Sequence, residues 1–337
     1  MSSVAADTSP PQEWQLRPWI RPGTVAVLLL AVVVAAVSAQ RSEVDRMLVL
    51  SGHAIAAALG GERSQVADAM ARIGRDLVPL QLSETTDAAR LPGLDREHLP
   101  WGAHIERQAT SERRLDPDSL QVTEVVTERE VLVEPFGYLL HVLWLMLQTL
   151  EIAFWGTVVA VLVAAPLALL GARGYSPHVT VVVAARGVAS FLRSIPDLIA
   201  ALFWVLAFGF GPIAGILALG LHTAGFLGKF FADDIENAPR GPQDALRATG
   251  ANGLKVLRFA VLPQVVPSYL AYLQYILERN IRTATVIGIV GAGGIGQELK
   301  GRFEMFHFHH VATMLLVIFI VVLALELATG RVRKHLL

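Results

Sequence analysis

Residues 244–250 read Asp244-Ala245-Leu246-Arg247-Ala248-Thr249-Gly250, and the stretch closes on Val261-Leu262-Pro263 between two long apolar runs. Its charges and helix-breaking glycine are unsuited to lipid. Leu254, Val256, Leu257, Phe259 and Val261 nevertheless keep an apolar component that needs a protein groove. The pattern predicts a docking element, and the apolar runs on either side decide what kind of molecule carries it.

Of the 337 residues 53% are hydrophobic and 17% charged, with mean hydropathy +0.51. A soluble domain needs a surface about a quarter or more charged, so the bilayer is the expected solvent. The formal net charge is -1, and no dense basic run points to nucleic acid. With zero cysteines, disulfides, thiolate metal sites and cysteine nucleophiles are excluded together.

A membrane-crossing helix takes about 20 mostly apolar residues. The first candidate runs over 23–40 behind Arg17 and Arg21, and its apolar part exceeds the roughly 7–15 residues of a signal peptide, which favours an uncleaved anchor. The second lies within 138–170. The third is interrupted by Arg186 and Arg193 before Pro196 opens Leu198–Phe210, and reads as an interfacial helix feeding a short span. The fourth covers 212–231, ending at Lys229 and the acids Asp233, Asp234 and Glu236; the fifth covers about 267–290 and the sixth 311–329. The fold class is therefore an all-α polytopic membrane protein of about six spans.

Lys and Arg in short loops favour the cytoplasm. With six spans, Arg17, Arg21, Arg173, the 240–258 loop and the tail from Arg331 share one side, so both termini and the 244–263 island are expected to be cytoplasmic. Residues 1–22 then form a cytoplasmic tail, 41–135 an extracytoplasmic insert, 136–330 the transmembrane domain with its cytoplasmic loop at 232–263, and 331–337 a second tail. The insert carries 11 arginines against 17 acids, no objection to export, since loops beyond about 60 residues translocate regardless of charge. Within it, 47–80 has helical spacing, 121–133 alternates as a strand pair would, and a Pro- and charge-rich linker lies between.

Gly291-Ala292-Gly293-Gly294-Ile295-Gly296 satisfies the dinucleotide pattern G-x-G-x-x-G. It sits at the end of a span, however, and the ribose-binding acid expected about 20 residues on is replaced by Ala312-Thr313-Met314-Leu315-Leu316. A tight packing turn is the simpler reading, and a gate or anion-facing wall of free amides the sharper one. No G-x-x-x-x-G-K-[ST] occurs, so ATP chemistry belongs to another subunit.

The fifth span carries Glu278, Arg279, Asn280 and Arg282. A charge at mid-span costs about 2.5–3.5 kcal/mol or more on insertion scales and normally pairs or lines a polar cavity. Glu278 and Arg282 are four residues apart and can neutralise each other. In a polar cavity Arg282 is the best single candidate to meet an oxyanion, with Asn280 and Thr285 as neutral donors. His222 with Thr223 in the fourth span, and Asp197 after Pro196, are pore-side groups or helix-to-helix hydrogen bonds. Glu151 and Glu326 have no assignable partner. His307, His309 and His310 lack a supporting ligand set apart from Glu304, so no metal site is expected.

Residues 244–263 resemble the E-A-A-x-x-x-G-x(9)-I-x-L-P loop of binding-protein-dependent ABC importer permeases, with Asp244 for the acid and Leu246 for the second alanine. Closer still is the likeness of three tracts to the phosphonate, phosphite and phosphate subgroup: Arg193-Ser194-Ile195-Pro196-Asp197-Leu198, Leu221–Lys229, and Glu278-x-Asn280-x-Arg282-x-Ala284-Thr285-Val286 running into Gly288–Gly296. The resemblance implies a type I importer permease that is not itself an enzyme, with Asp244, Ala245, Arg247, Gly250, Leu262 and Pro263 coupling it to an ATPase. It also implies a substrate pathway past Arg282, Glu278, Asn280, Thr285, His222 and Asp197, and a gate or packing turn at Gly291, Gly293, Gly294 and Gly296. The implied partners are an ATP-binding subunit dimer holding ATP and Mg, an extracytoplasmic binding protein, a second permease copy and membrane lipid, in the bacterial plasma membrane; this chain binds no cofactor and no nucleic acid. The alternatives are a methionine or other zwitterion importer of the same architecture, and a membrane-anchored sensor or scaffold.

Overall fold

The computed structural model describes residues 22–58, 65–91, 99–115 and 122–336; the expected basic pair Arg17 and Arg21 lies outside them. The chain divides into a unit ending at Arg75 and a unit beginning at Asp76. The first holds helices α1 (Pro22–Arg41) and α2 (Val44–Ala58) and most of α3 (Gln65–Leu77). α1 is apolar on every face, as a helix solvated by lipid is, with Val27, Leu28, Leu29 and Leu30 all exposed. Segments 25–41 and 46–57 meet at a 71° bend, where Glu43 takes a φ of +52°.

The second unit opens with an antiparallel sheet of β1 (Glu84–Asp87), β2 (His104–Leu115) and β3 (Val122–Glu134), in the order β1-β3-β2. Glu84 stands opposite Glu134, and β2 runs along β3 from the His104–Val133 pair to Leu115–Val122. The alternating stretch at 121–133 is thus one strand rather than a pair, and its partner comes from the region read as linker. β2, HIERQATSERRL, has five charges and almost no apolar alternation; pairing with β3, not its own pattern, makes it a strand.

Helices α4 (Gly137–Gly171), α5 (Val179–Ser194), α6 (Asp197–Phe208), α7 (Pro212–Asn237), α8 (Arg240–Ala248), α9 (Gly253–Val256), α10 (Leu262–Gly288), α11 (Ile295–Glu304) and α12 (Phe308–Leu336) follow, with a π turn, Leu257–Val261, between α9 and α10. Among the described residues four helices are long and apolar enough to cross a membrane, and up to six spans result if each bent pair counts as one. The second bent pair is α5 with α6, turned by 90° at Pro196, so the third span is indeed built of two pieces. α7 is the most buried of the four unbroken helices, and glycines let its neighbours close on it. A Cβ on Gly220 would stand 2.7 Å from Val159 Cγ1, and one on Gly225 2.5 Å from the Ala189 carbonyl of α5.

α7 runs six residues past Phe231, where the apolar pattern stops. Arg186 makes this possible: its guanidinium reaches Glu236 at 2.9 Å and Asp233 at 3.4 Å and donates to Gly171 O at 2.9 Å. The arginine that interrupts the third span in sequence thus clasps α4, α5 and α7 at one end of the bundle. α10 likewise starts ahead of expectation, at Leu262, because Pro263 sits in its first turn, where a missing N–H costs nothing.

The glycine run is a packing turn. Gly291, Gly293 and Gly294 have φ of +93°, +86° and +71°, open to residues without a Cβ. Two of its amides are not free to face an anion: Gly294 N donates to Gln148 Oε1 at 3.3 Å and Ile295 N to Thr149 Oγ1 at 2.9 Å. A Cβ on Gly296 would lie 2.1 Å from the Thr285 carbonyl, whereas one on Gly301 meets nothing within 4 Å. Gly296→Ala is therefore expected to lose about 1–3 kcal/mol or more through overpacking, while Gly301→Ala, inside α11 with space for its methyl group, should keep or slightly raise the melting temperature of the purified protein. Equal melting temperatures for both variants would refute this role for the turn.

Candidate functional site

Three elements meet where the third span breaks. Pro196 ends α5 and starts α6 with Asp197 in its first turn; His222 lies near the middle of α7, and Arg279 two-thirds along α10. Arg279 Nη2 donates to Asp197 Oδ2 at 3.3 Å and lies 3.1 Å from His222 Nε2. His222 Nδ1 stands 2.8 Å from Ile195 O; a carbonyl only accepts, so Nδ1 carries a proton. Nε2 also lies 2.9 Å from Asp197 Oδ1, an otherwise unpartnered buried oxygen. Nε2 thus accepts from Arg279 when the ring is neutral and donates to Asp197 when it is charged. Beside the cluster a cavity of about 420 Å³ is lined by His222 with Phe191, Ile195, Ile199, Phe203 and Trp204.

Of the arginines on α10, it is Arg279, not the Arg282 that the sequence favours, that meets Asp197 and His222. Arg282 ends on Glu278 at 2.9 Å with about half its side chain exposed, so its charge is offset one turn away. Glu278 lines a separate polar pocket of about 290 Å³ with Gln274, Tyr275, Thr329 and Glu326, which gives Glu326 its setting. Asn280 and Thr285 are not spare donors. Asn280 is 1% exposed, donates to Thr157 Oγ1 at 3.0 Å and accepts from Thr223 Oγ1 at 3.2 Å, joining α4, α7 and α10. Thr285 donates back to Ile281 O at 3.3 Å. Both polar groups are consumed by helix packing.

The 244–263 island has a defined shape. α8 ends at Ala248, Gly250 turns the chain with φ +81° and nothing within 4 Å of its Cβ position, and Asn252 caps α9 by accepting from Lys255 N at 3.0 Å. Asp244, Ala245, Arg247, Gly250 and Pro263 are exposed and Leu262 half-buried, and Asp244 holds Arg247 at 3.2 Å. Leu254 is 73% and Phe259 63% exposed. The buried residue of α8 is Gln243, missed in sequence because a lone glutamine carries no signal. It accepts from Tyr175 Oη at 3.1 Å and donates to Ala238 O and Pro239 O at 3.1 and 3.2 Å. Burial pushes the Tyr175 phenol up, with Arg247 pulling the other way. Among the described residues no group of three or more His, Asp or Glu gathers as a metal site.

This architecture, a bundle around α7 with a bent polar loop ahead of α10, is matched by the family model described as binding-protein-dependent transport system inner membrane component, over residues 156–336. The chain belongs to that family. A candidate phosphite transport system permease of Stutzerimonas stutzeri is 49% identical over 259 residues, covering 77% of this chain and 99% of the relative. A phosphite transport system permease of the same organism is 44% identical over 190 residues, covering 56% of this chain and 69% of the relative. Among solved structures, an inward-facing methionine ABC transporter superposes with TM-score 0.50 at 23% identity, over 58% of this chain and 97% of that one, a likeness of fold. Membership makes the molecule a multi-pass transport permease.

Proposed function

We propose that this permease imports a phosphorus oxyanion, phosphite, a phosphonate or phosphate, as a homodimer that draws its energy from a separate ATPase pair. The observation that carries the reading is the 49% identity maintained along 99% of a relative named for phosphite transport. In this reading both termini are cytoplasmic, the sheet of 84–134 lies outside beside the substrate-binding protein, and Asp244–Pro263 seats on the ATPase, which holds ATP and Mg. Energy coupling suits the cargo, since an anion entering against an inside-negative potential is opposed by about 2.3 kcal/mol per charge per 100 mV. A methionine cargo has weaker support, from permeases named for D-methionine transport at 28% identity over 117 residues and 24% over 188.

The test is uptake by proteoliposomes holding the permease, its ATPase and its binding protein, offered phosphite, methylphosphonate, phosphate or methionine. ATP-dependent accumulation of at least one phosphorus oxyanion, and none of methionine, is expected. Methionine uptake without uptake of any of the three oxyanions would overturn the assignment.

A further inference from the structure

Phe226 lies one turn along α7 from His222, and their rings are 5.2 Å apart. Two guanidiniums stand over the Phe226 ring, Arg279 at 5.1 Å and Arg193 at 5.9 Å from its centroid. Arg193 occupies the last turn of α5, directly before the break that presents Asp197. Gly225 brings the two helices this close, since a Cβ there would stand 2.8 Å from Arg193 N. An aromatic face holds guanidinium groups while leaving their N–H edges available.

The charges at this place do not balance. Asp197 serves both Arg279 and His222, and among the described residues no carboxylate pairs with Arg193. Two arginines therefore share one carboxylate, and a half-buried charge without a counterion is unfavourable. By contrast Arg282 and Arg186 each have a carboxylate of their own. Half-buried Arg193 is thus a cation in excess of the local carboxylates, a charge that an anion would offset.

We infer that Arg193 and Arg279, gathered on the ring of Phe226, form the oxyanion station of the transport pathway, and that Asp197 is the stand-in that occupies Arg279 between substrates. This rests on the phosphorus-oxyanion reading above. A tetrahedral oxyanion offers several oxygens to the two forks, and its negative charge offsets the spare cation. A zwitterion brings no net charge and leaves it uncompensated. When substrate takes Arg279, His222 Nε2, 2.9 Å from Asp197 Oδ1, becomes the carboxylate's partner provided the ring takes up a proton from solvent. The arrangement holds the ligand without enclosing it in full countercharge, as a carrier that must release its cargo requires.

The experiment measures methylphosphonate transported per ATP hydrolysed in proteoliposomes of the full complex, a ratio from which unassembled protein drops out. Losing one charge-assisted contact is worth about 10- to 100-fold, so Arg193→Gln is expected to lower the ratio by that factor and Arg193→Lys to restore most of it. A glutamine variant within about twofold of wild type, well below a single such contact, overturns the station. Should the glutamine variant not assemble, the wild-type complex decides: millimolar methylphosphonate should protect Arg193 and Arg279, and not Arg240, from phenylglyoxal. Uniform labelling would refute the proposal. A wild-type complex that moves none of methylphosphonate, phosphite or phosphate defeats the transport reading instead, which keeps the two failures apart.

Discussion

Asp197→Leu should destabilise the protein by about 3 kcal/mol, the lower end of what removing one partner of a buried ion pair costs; Asp197 and Arg279 retain 19% and 28% exposure of their side chains, which places the pair towards that end. The loss comes less from the missing bond than from what is left behind. Arg279 keeps the Phe226 face and, if His222 is neutral, the Nε2 acceptor, but no countercharge, while Arg193 adds a second unopposed cation on the same ring. The double variant Asp197→Leu/Arg279→Leu removes both charges and should recover most of the melting temperature, since an apolar pair of similar volume is often as stable as a buried ion pair. Thermal unfolding of the purified protein gives the comparison. If Asp197→Leu melts with wild type, or if the double variant is no better than the single, the pair does not hold the α6–α10 contact. The same substitution also vacates the place given to the substrate anion. Methylphosphonate should therefore raise the melting temperature of Asp197→Leu more than that of wild type, by mass action on the folded state.

What the sequence made legible follows from what each feature depends on. The spans were readable because lipid selects on composition, and runs such as 137–171 and 308–331 meet that demand by themselves. The broken third span was readable because Pro196 and the arginines at 186 and 193 cannot continue an apolar helix. The bend at Gly250 was readable because the positive φ it adopts is one that favours glycine. Other features depend on partners distant in sequence. Strand β2 exists through β3, and the last six residues of α7 through Arg186 fifty residues earlier. The choice among Glu278, Arg279, Asn280 and Arg282 was of the same kind. Successive positions on a helix point about 100° apart, so four polar residues within one turn and a half face in several directions, and only the surrounding helices decide which meets the break at Asp197. Arg282 had a partner four residues away and was readable as a pair; Arg279 has partners 57 and 82 residues away and was not.

Gly250→Pro should abolish uptake while leaving the bundle folded. Gly250 takes φ +81° and its N–H donates to Arg247 O at 2.9 Å, closing α8. Proline holds φ near -65° and has no N–H, so it loses the bond and reverses the turn, a change worth about 3 kcal/mol or more. The neighbourhood is open, with nothing within 4 Å of the position a Cβ would take, and α8 is fastened separately through Gln243 to Ala238, Pro239 and Tyr175. The damage should therefore stay in the orientation of α9 and of exposed Leu254 and Phe259. If this surface is the ATPase seat, an error of that size lowers transport by about 100-fold or more. Gly250→Ala sets the scale, because a residue with a Cβ enters the left-handed region at about 1–2 kcal/mol and keeps its N–H, so uptake should fall by only about 5- to 30-fold. Uptake, ATPase co-purification and the melting temperature of the permease alone separate the outcomes. The coupling role fails if Gly250→Pro transports like wild type with its ATPase bound. It fails equally if the isolated Gly250→Pro permease melts well below the wild-type permease, since the glycine would then be holding the fold rather than aiming the loop.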